Sequence, residues 1–182
     1  MYKCIIFLFV CLFIICCGNN QKKNEYPAID VIGYIKGQLK LLDSIPYGIL
    51  KVTELQGGRT DSVYIKKNEL PGILKSFLSE SISKTALEIN YEEKSFADAG
   101  NQMINITYDA KDKEAVINQI TIYVNPSDGN IRLLYINGFF ESAGRPIKKQ
   151  LLWTHNKGFQ IISSEGSEHK EGNLITEKYI WQ

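Results

Sequence analysis

The feature that most constrains the fold is the alternation of apolar and polar residues over the C-terminal half of the chain. The clearest run holds Ile120, Ile122 and Val124, with polar or small residues between them. A period of two is typical of a half-buried β-strand. Short turn-like segments, such as 126–130 and 156–158, separate the runs, and short connections favour antiparallel neighbours. The pattern therefore predicts an antiparallel meander. Further alternating runs hold Leu87, Ile89 and Tyr91, and then Ile104, Ile106 and Tyr108.

The segment before these strands carries helical patterns. Apolar residues recur every three or four positions in residues 27–42 and, more clearly, in residues 68–82. Two strand-like runs, 47–55 and 61–66, lie between them and flank Gly57–Gly58, which predicts a hairpin. We therefore predict an α+β fold in which two helices pack on a curled antiparallel β-meander sheet of about eight strands.

The first eighteen residues have a different composition. Residues 4–17 contain no charged side chain, and about 14 apolar residues are too few for a membrane-spanning helix, which needs roughly 20. The length fits the apolar region of a signal peptide. Its end, IICCG, resembles the bacterial lipobox, in which an aliphatic residue and then a small residue precede a lipidated cysteine. The resemblance implies that Cys17 is the lipid attachment site, with Ile14 and Cys16 as the aliphatic and small residues.

The lipobox resemblance divides the chain into three parts. Residues 1–16 are the predicted signal peptide, residues 17–26 are the lipidated cysteine with a flexible polar tether, and residues 27–182 are a single α+β domain. Several acyl chains on one cysteine would hold the protein firmly on a membrane. We expect a cell-envelope location, with the outer membrane favoured over the inner, and the domain in the periplasm or at the cell surface. The layout is also similar to that of small lipoproteins of the Bacteroidota.

Composition excludes several classes of function for the predicted domain. All four cysteines precede residue 18, so the domain after Cys17 contains no disulfide, thiol nucleophile or thiolate metal ligand. The formal net charge of the chain is only +1, and the 21 basic and 20 acidic residues are interspersed. Without a basic face, nucleic acid is not an expected partner. The expected partners are a membrane, through the N-terminal lipid anchor, and an envelope protein.

Signatures of enzymes are also missing from the sequence. It contains no H-E-x-x-H pattern, no G-x-S-x-G motif and no phosphate-binding loop. His155 lies beside a predicted turn, and Glu92–Glu93 is an adjacent acidic pair with no sign of a cleft around it. We predict no catalytic residue, no cofactor and no metal, and we interpret the charged C-terminal loop as a solvated loop. The alternative interpretation of that loop is a metal site formed by Glu165, Glu168, His169 and Glu171.

Aromatic residues are concentrated in the C-terminal strands, where some of them could line a surface for a sugar or a lipid. Two short sequences, Asp43-Ser44-Ile45 and Asp61-Ser62-Val63, resemble the O-glycosylation sequon of Bacteroidota envelope proteins, which makes Ser44 and Ser62 candidate modification sites. The candidate ligand surface consists of Phe139, Phe140, Trp153 and Trp181.

Three functions remain open from the sequence. The first is a non-enzymatic binding or complex-forming module at the membrane, and it is favoured because catalytic signatures are absent. The second is a carrier or chaperone of a hydrophobic or glycan ligand, suggested by the aromatic strands. The third and weakest is a hydrolase of envelope glycans or lipids.

Overall fold

A single open antiparallel sheet dominates the protein. The computed structural model describes residues 28–46, 48–142, 144–165 and 174–181. The strands are β1 (Ile49–Leu55), β2 (Thr60–Ile65), β3 (Tyr91–Asp98), β4 (Met103–Ala110), β5 (Ile117–Val124), β6 (Ile131–Ser142), β7 (Arg145–Thr154), β8 (Gly158–Glu165) and β9 (Leu174–Ile180). Their order is β2-β1-β9-β8-β7-β6-β5-β4-β3, with every neighbouring pair antiparallel. The antiparallel meander predicted from the alternation is confirmed, and the sheet has nine strands instead of about eight.

The N-terminal hairpin completes the sheet at the end of the meander. Strands β3 to β9 follow one another in sequence and in space, whereas β1 pairs with β9 through a register that sets Leu50 opposite Ile180. The predicted turn at Gly57–Gly58 joins β1 to β2, and both glycines have positive φ angles of 96° and 82°. Such angles are readily adopted only by glycine, which explains the residue choice at this turn.

The helices pack against one face of the sheet. They are α1 (Val31–Asp43), α2 (Leu70–Leu74) and α3 (Lys84–Asn90), with short 3₁₀ segments at Lys67–Glu69, Lys75–Phe77 and Glu80–Ile82. Alternate residues of the strands meet them in one hydrophobic core, which includes Ile35, Leu74, Phe77, Tyr108, Ile120, Leu134, Ile136, Leu151 and Trp153. We call this side of the sheet the helix face and the other side the open face.

The prediction of one continuous second helix over residues 68–82 was wrong. Its apolar positions are buried as expected, including Leu70, Leu74 and Phe77, but the backbone changes from α to 3₁₀ after Leu74 and leaves the helical region at Leu78. The hydroxyl of Ser79 accepts from the backbone N–H of Ser81 at 3.2 Å. Such local bonds compete with a continuous helix.

The residues after Ser83 form a third helix, so the prediction of only two helices was also wrong. The hydroxyl of Ser83 caps α3 by accepting from the N–H of Ala86 at 3.4 Å. Leu87 is buried while Ile89 is 63% exposed, so the two residues that alternate in the sequence lie on different sides of a helix. A short apolar alternation does not by itself distinguish a strand from one and a half helical turns.

The boundaries of the first helix also differ from the prediction. Helix α1 starts at Val31 because Asp30 acts as its N-cap, with its carboxylate accepting from the N–H of Gly33 at 2.8 Å. The helix ends at Asp43, close to the expected position. Within the described ranges, no helix is long and apolar enough to cross a membrane.

Candidate functional site

An open groove lies between the C-terminal half of α1 and the ends of strands β7, β8 and β9. Its lining reaches both faces of the sheet at the strand ends, because Phe159 points to the helix face whereas Gln160 and its cross-strand partner Lys178 point to the open face. Its cavity volume is about 820 Å³. The walls combine apolar residues of the helix and of the strand ends with a rim of amides, a hydroxyl and two lysines. The apolar lining includes Leu41, Leu42, Ile45, Leu152, Phe159, Tyr179, Ile180 and Trp181, and the polar lining includes Gln38, Thr154, Asn156, Lys157, Gln160 and Lys178.

The roof of the groove is the last part of α1, and the two ends of that helix differ in their packing. Val31, Ile32 and Ile35 in the first half are 0%, 7% and 0% exposed, whereas Leu41 near the end is 60% exposed. Leu42 is buried and faces the core. The helix therefore seals the core with its first half and extends over the groove with its second half.

Hydrogen bonds tie both ends of α1 to other elements of the fold, the N-terminal end to the sheet and the C-terminal end to the 3₁₀ segment Lys67–Glu69. Just before the helix, the backbone N–H of Ile29 donates to the hydroxyl of Tyr108 on β4 at 3.2 Å. At the other end, the ammonium of Lys67 donates to the carbonyl oxygen of Leu42 at 2.6 Å and also to that of Ile45. A cation at a helix C-terminus satisfies carbonyl groups that have no partner in the helix and opposes the negative end of its dipole. The roof of the groove is thus held in place from both sides.

A tyrosine and a histidine connect the middle of α1 to the turn beside the groove. The hydroxyl of Tyr34 lies 3.2 Å from Nδ1 of His155 and donates to the carbonyl oxygen of Ile131 at 3.5 Å. Burial raises the pKa of Tyr34 to about 12, so the hydroxyl stays protonated at neutral pH. Burial, and then the positive charge of Arg132, lower the pKa of His155, which favours the neutral imidazole.

Stacked aromatic rings form one wall of the groove. Phe159 stacks on Tyr179 with ring centroids 4.5 Å apart and on Trp153 at 5.1 Å. Trp181 lies against Trp153 at 5.6 Å. Trp153 is fully buried behind this wall, and its Nε1 has no hydrogen-bond partner among the residues that the structure describes. Packed rings of this kind give a rigid apolar surface rather than a wall that adjusts freely.

The tight turn between β7 and β8 forms the rim. Asn156 adopts a positive φ of 57°, a conformation that asparagine tolerates better than most residues. Gly158 has a φ of 153°, and a Cβ atom there would overlap the carbonyl oxygen of Tyr179. Only glycine lets β8 approach β9 this closely, so Gly158 allows the two strands to pair at the rim of the groove.

The aromatic residues proposed from the sequence do not form one surface. Phe139 is 49% exposed on the open face, while its neighbour Phe140 points to the helix face and packs edge-on against Phe77 at 5.4 Å. Consecutive residues of a strand point to opposite faces. Trp153 is buried in the core, and of the four residues only Trp181 lines the groove.

The other candidate residues lie apart from the groove or outside the described residues. Ser44 follows α1 as its C-cap, and Ser62 lies in the exposed edge strand β2; both are exposed. Glu92 and Glu93 are consecutive in β3 and point to opposite faces, so they do not converge on one substrate. In the part of the chain that is described, no three histidine, cysteine or acidic residues are grouped as metal ligands. Cys17, Glu168, His169 and Glu171 lie outside the described residues, whereas Glu165 ends β8.

The groove was not predicted from the sequence, although one residue indicated it. Leu41 lies outside the apolar stripe of α1, and a large apolar side chain on the solvent side of an amphipathic helix is a sign of an additional contact surface. Comparison with protein-family models, with curated proteins and with solved structures finds no match to this chain.

Proposed function

We propose that the protein is a lipid-anchored envelope lipoprotein whose domain binds a hydrophobic ligand in the groove between α1 and strands β7–β9. The observation that carries the proposal is the groove itself, which has a volume of about 820 Å³ and mainly apolar walls. Small-molecule sites in proteins are concave, mostly apolar and about 300–1,000 Å³ in volume, with a few polar groups that fix orientation. The groove has mainly apolar walls, a volume within this range and a few polar groups in its lining.

The proposed fold and anchor support a carrier without catalytic chemistry. We take the sheet to curl around the helices, as expected for an α+β domain with one buried face. Lipidation at Cys17 and the tether would keep the groove near a membrane, in the periplasm or at the cell surface, where hydrophobic ligands are available. Substitution of Cys17 by Ala should release the protein from membranes, and persistent membrane association in a cell fractionation would refute the anchor.

Native mass spectrometry of the purified chain, followed by organic extraction, tests the ligand. We expect a stoichiometric hydrophobic molecule on the wild-type protein and its loss in Leu41→Asp, which places a charge at the groove. Ile89→Asp is the matched control because Ile89 is a similarly exposed apolar residue, 63% against 60%, on a different helix. A chain that carries no hydrophobic molecule when purified and takes up none when fatty acid is added would contradict the proposal.

The second candidate, a complex-forming module, is supported by the free edge of β2. Among the described residues, no strand pairs with the outer side of β2, and β2 exposes Val63 by 54% and Tyr64 by 76%. It contains one charged residue, Asp61, and no proline, whereas charged residues protect the other edge strand, β3. We propose that an extended strand of an envelope protein would pair here. Crosslinking through position 64 in intact cells should capture that protein, and Ser62→Pro should abolish the crosslink.

A further inference from the structure

The charged residues that line the groove are of one sign, although Glu54 lies beside one of them. Lys157 and Lys178 contribute to its lining, and none of the described residues that line it is an aspartate or a glutamate. The remaining polar groups are amides and a hydroxyl, which can accompany a charge of either sign. A positive rim around an apolar cavity matches a ligand with a long apolar part and a negative group.

The two lysines differ in how available they are to a ligand. The ammonium of Lys178 donates to the carboxylate of Glu54 at 2.6 Å, so its charge is partly neutralised. Lys157 lies in the turn after β7, is exposed, and has no ion-pair partner among the described residues. Its carbonyl oxygen accepts from the N–H of Trp181 at 3.3 Å, which ties its backbone to the apolar wall. A negative group beside Lys157 would therefore lie next to the groove.

We infer that the ligand of the groove is an anionic amphiphile, with its acyl chain between α1 and the aromatic wall and its negative headgroup held by Lys157. This inference rests on the proposed function and adds the class of ligand to it. Lys178 provides a second, weaker positive position because Glu54 competes for its charge.

The tryptophans of the chain provide a direct readout. The sequence contains only two tryptophans. Trp181 lines the groove, and Trp153 packs against Trp181. Bromine atoms quench tryptophan fluorescence on contact. The full chain in phosphatidylcholine nanodiscs is titrated with dibromostearate, which is anionic, and with dibromostearyl alcohol, which has the same chain without the charge. We expect both to quench and the acid to bind more tightly.

Substitution of Lys157 tests whether this residue causes the preference for the acid over the alcohol. In Lys157→Gln we expect the affinity for the acid to fall roughly two- to fivefold, in keeping with an exposed ion pair, while the affinity for the alcohol stays the same. Glu54→Gln should strengthen binding of the acid because it frees Lys178. Lys113→Gln is the control, since Lys113 is an exposed lysine between β4 and β5, away from the groove lining.

The outcomes separate this inference from the proposed function. Equal affinity for acid and alcohol, unchanged in Lys157→Gln, would overturn the anionic headgroup and leave the hydrophobic groove supported. The absence of quenching by either probe would overturn both. A dibromostearyl amine that binds as well as the acid would also contradict the inference, since the rim should repel a cation.

Discussion

The two halves of α1 pack differently although they belong to one helix. The first half buries Val31, Ile32 and Ile35 against the sheet, whereas the second half exposes Leu41 and leaves a cavity of about 820 Å³ beside it. Protein interiors are normally close-packed, as the buried first half of α1 is, whereas the second half borders a groove that is open at the surface. The first half of α1 therefore contributes to the core, and the proposed ligand site lies beside the second half.

The largest effect should come from the packed half. Ile35→Ala removes a fully buried side chain, and we expect the free energy of unfolding to fall by about 2–5 kcal/mol, measured by urea denaturation. Leu41→Ala in the exposed half should change it by less than about 0.5 kcal/mol. Equal losses in the free energy of unfolding for Ile35→Ala and Leu41→Ala would mean that the two halves of α1 do not differ in their contribution to stability.

A smaller effect should come from the residue that holds the roof of the groove. Lys67→Met leaves the carbonyl groups of Leu42 and Ile45 without their charged donor, and we expect a loss of about 2 kcal/mol in the free energy of unfolding. Lys75→Met is the control, because Lys75 is an exposed lysine in the segment that follows α2. If both variants unfold at the same urea concentration as the wild type, α1 does not depend on Lys67.

The smallest effect should be a dependence on pH at the contact between Tyr34 and His155. The folded state lowers the pKa of His155 below its ordinary value of 6.5, by burial first and by Arg132 second, with Asp128 opposing. The imidazole of His155 therefore binds a proton more readily in the unfolded chain than in the folded one. The contribution of His155 to the free energy of unfolding is present above about pH 6.5 and is lost as the pH falls through the lowered pKa.

A variant isolates that contribution. The difference in free energy of unfolding between the wild type and His155→Gln should shrink as the pH is lowered from about 7.5 to about 5.5, measured by chemical denaturation at each pH. The low pKa values of Asp98, Asp109 and Asp128 affect stability only in a more acidic range, so they do not obscure the test. A difference that stays constant over this interval would show that His155 titrates as it does in the unfolded chain.

The sequence predicted the strands well where one face is buried. Tyr108, Ile120 and Ile122 all lie in predicted strands and all are fully buried on the helix face. The register of a strand follows its apolar period, so this result is expected. Strand β3 was harder to recognise, because an edge strand with the sequence YEEKSFAD has almost no apolar alternation.

The groove could not be predicted because it depends on tertiary placement. The position of α1 depends on its apolar residues and on its contacts with Tyr108 and Lys67. These contacts join residues that are far apart in sequence. The position of Gly158 next to the Tyr179 carbonyl likewise depends on the pairing of β8 with β9. The apolar period of a sequence indicates which residues face the core, but it does not indicate where the packed core ends and a surface groove begins.

Methyl NMR tests the central claim most directly. Stearate is titrated into the chain from residue 18 onward, and the methyl resonances of leucine, isoleucine and valine are followed. The account predicts saturable shifts at Leu41, Ile45, Leu152 and Ile180, which line the groove, and none at Val63 or Ile89, which are exposed elsewhere. Shifts of equal size at all exposed methyl groups, or no saturable shift at any of them, would contradict a specific groove beneath α1.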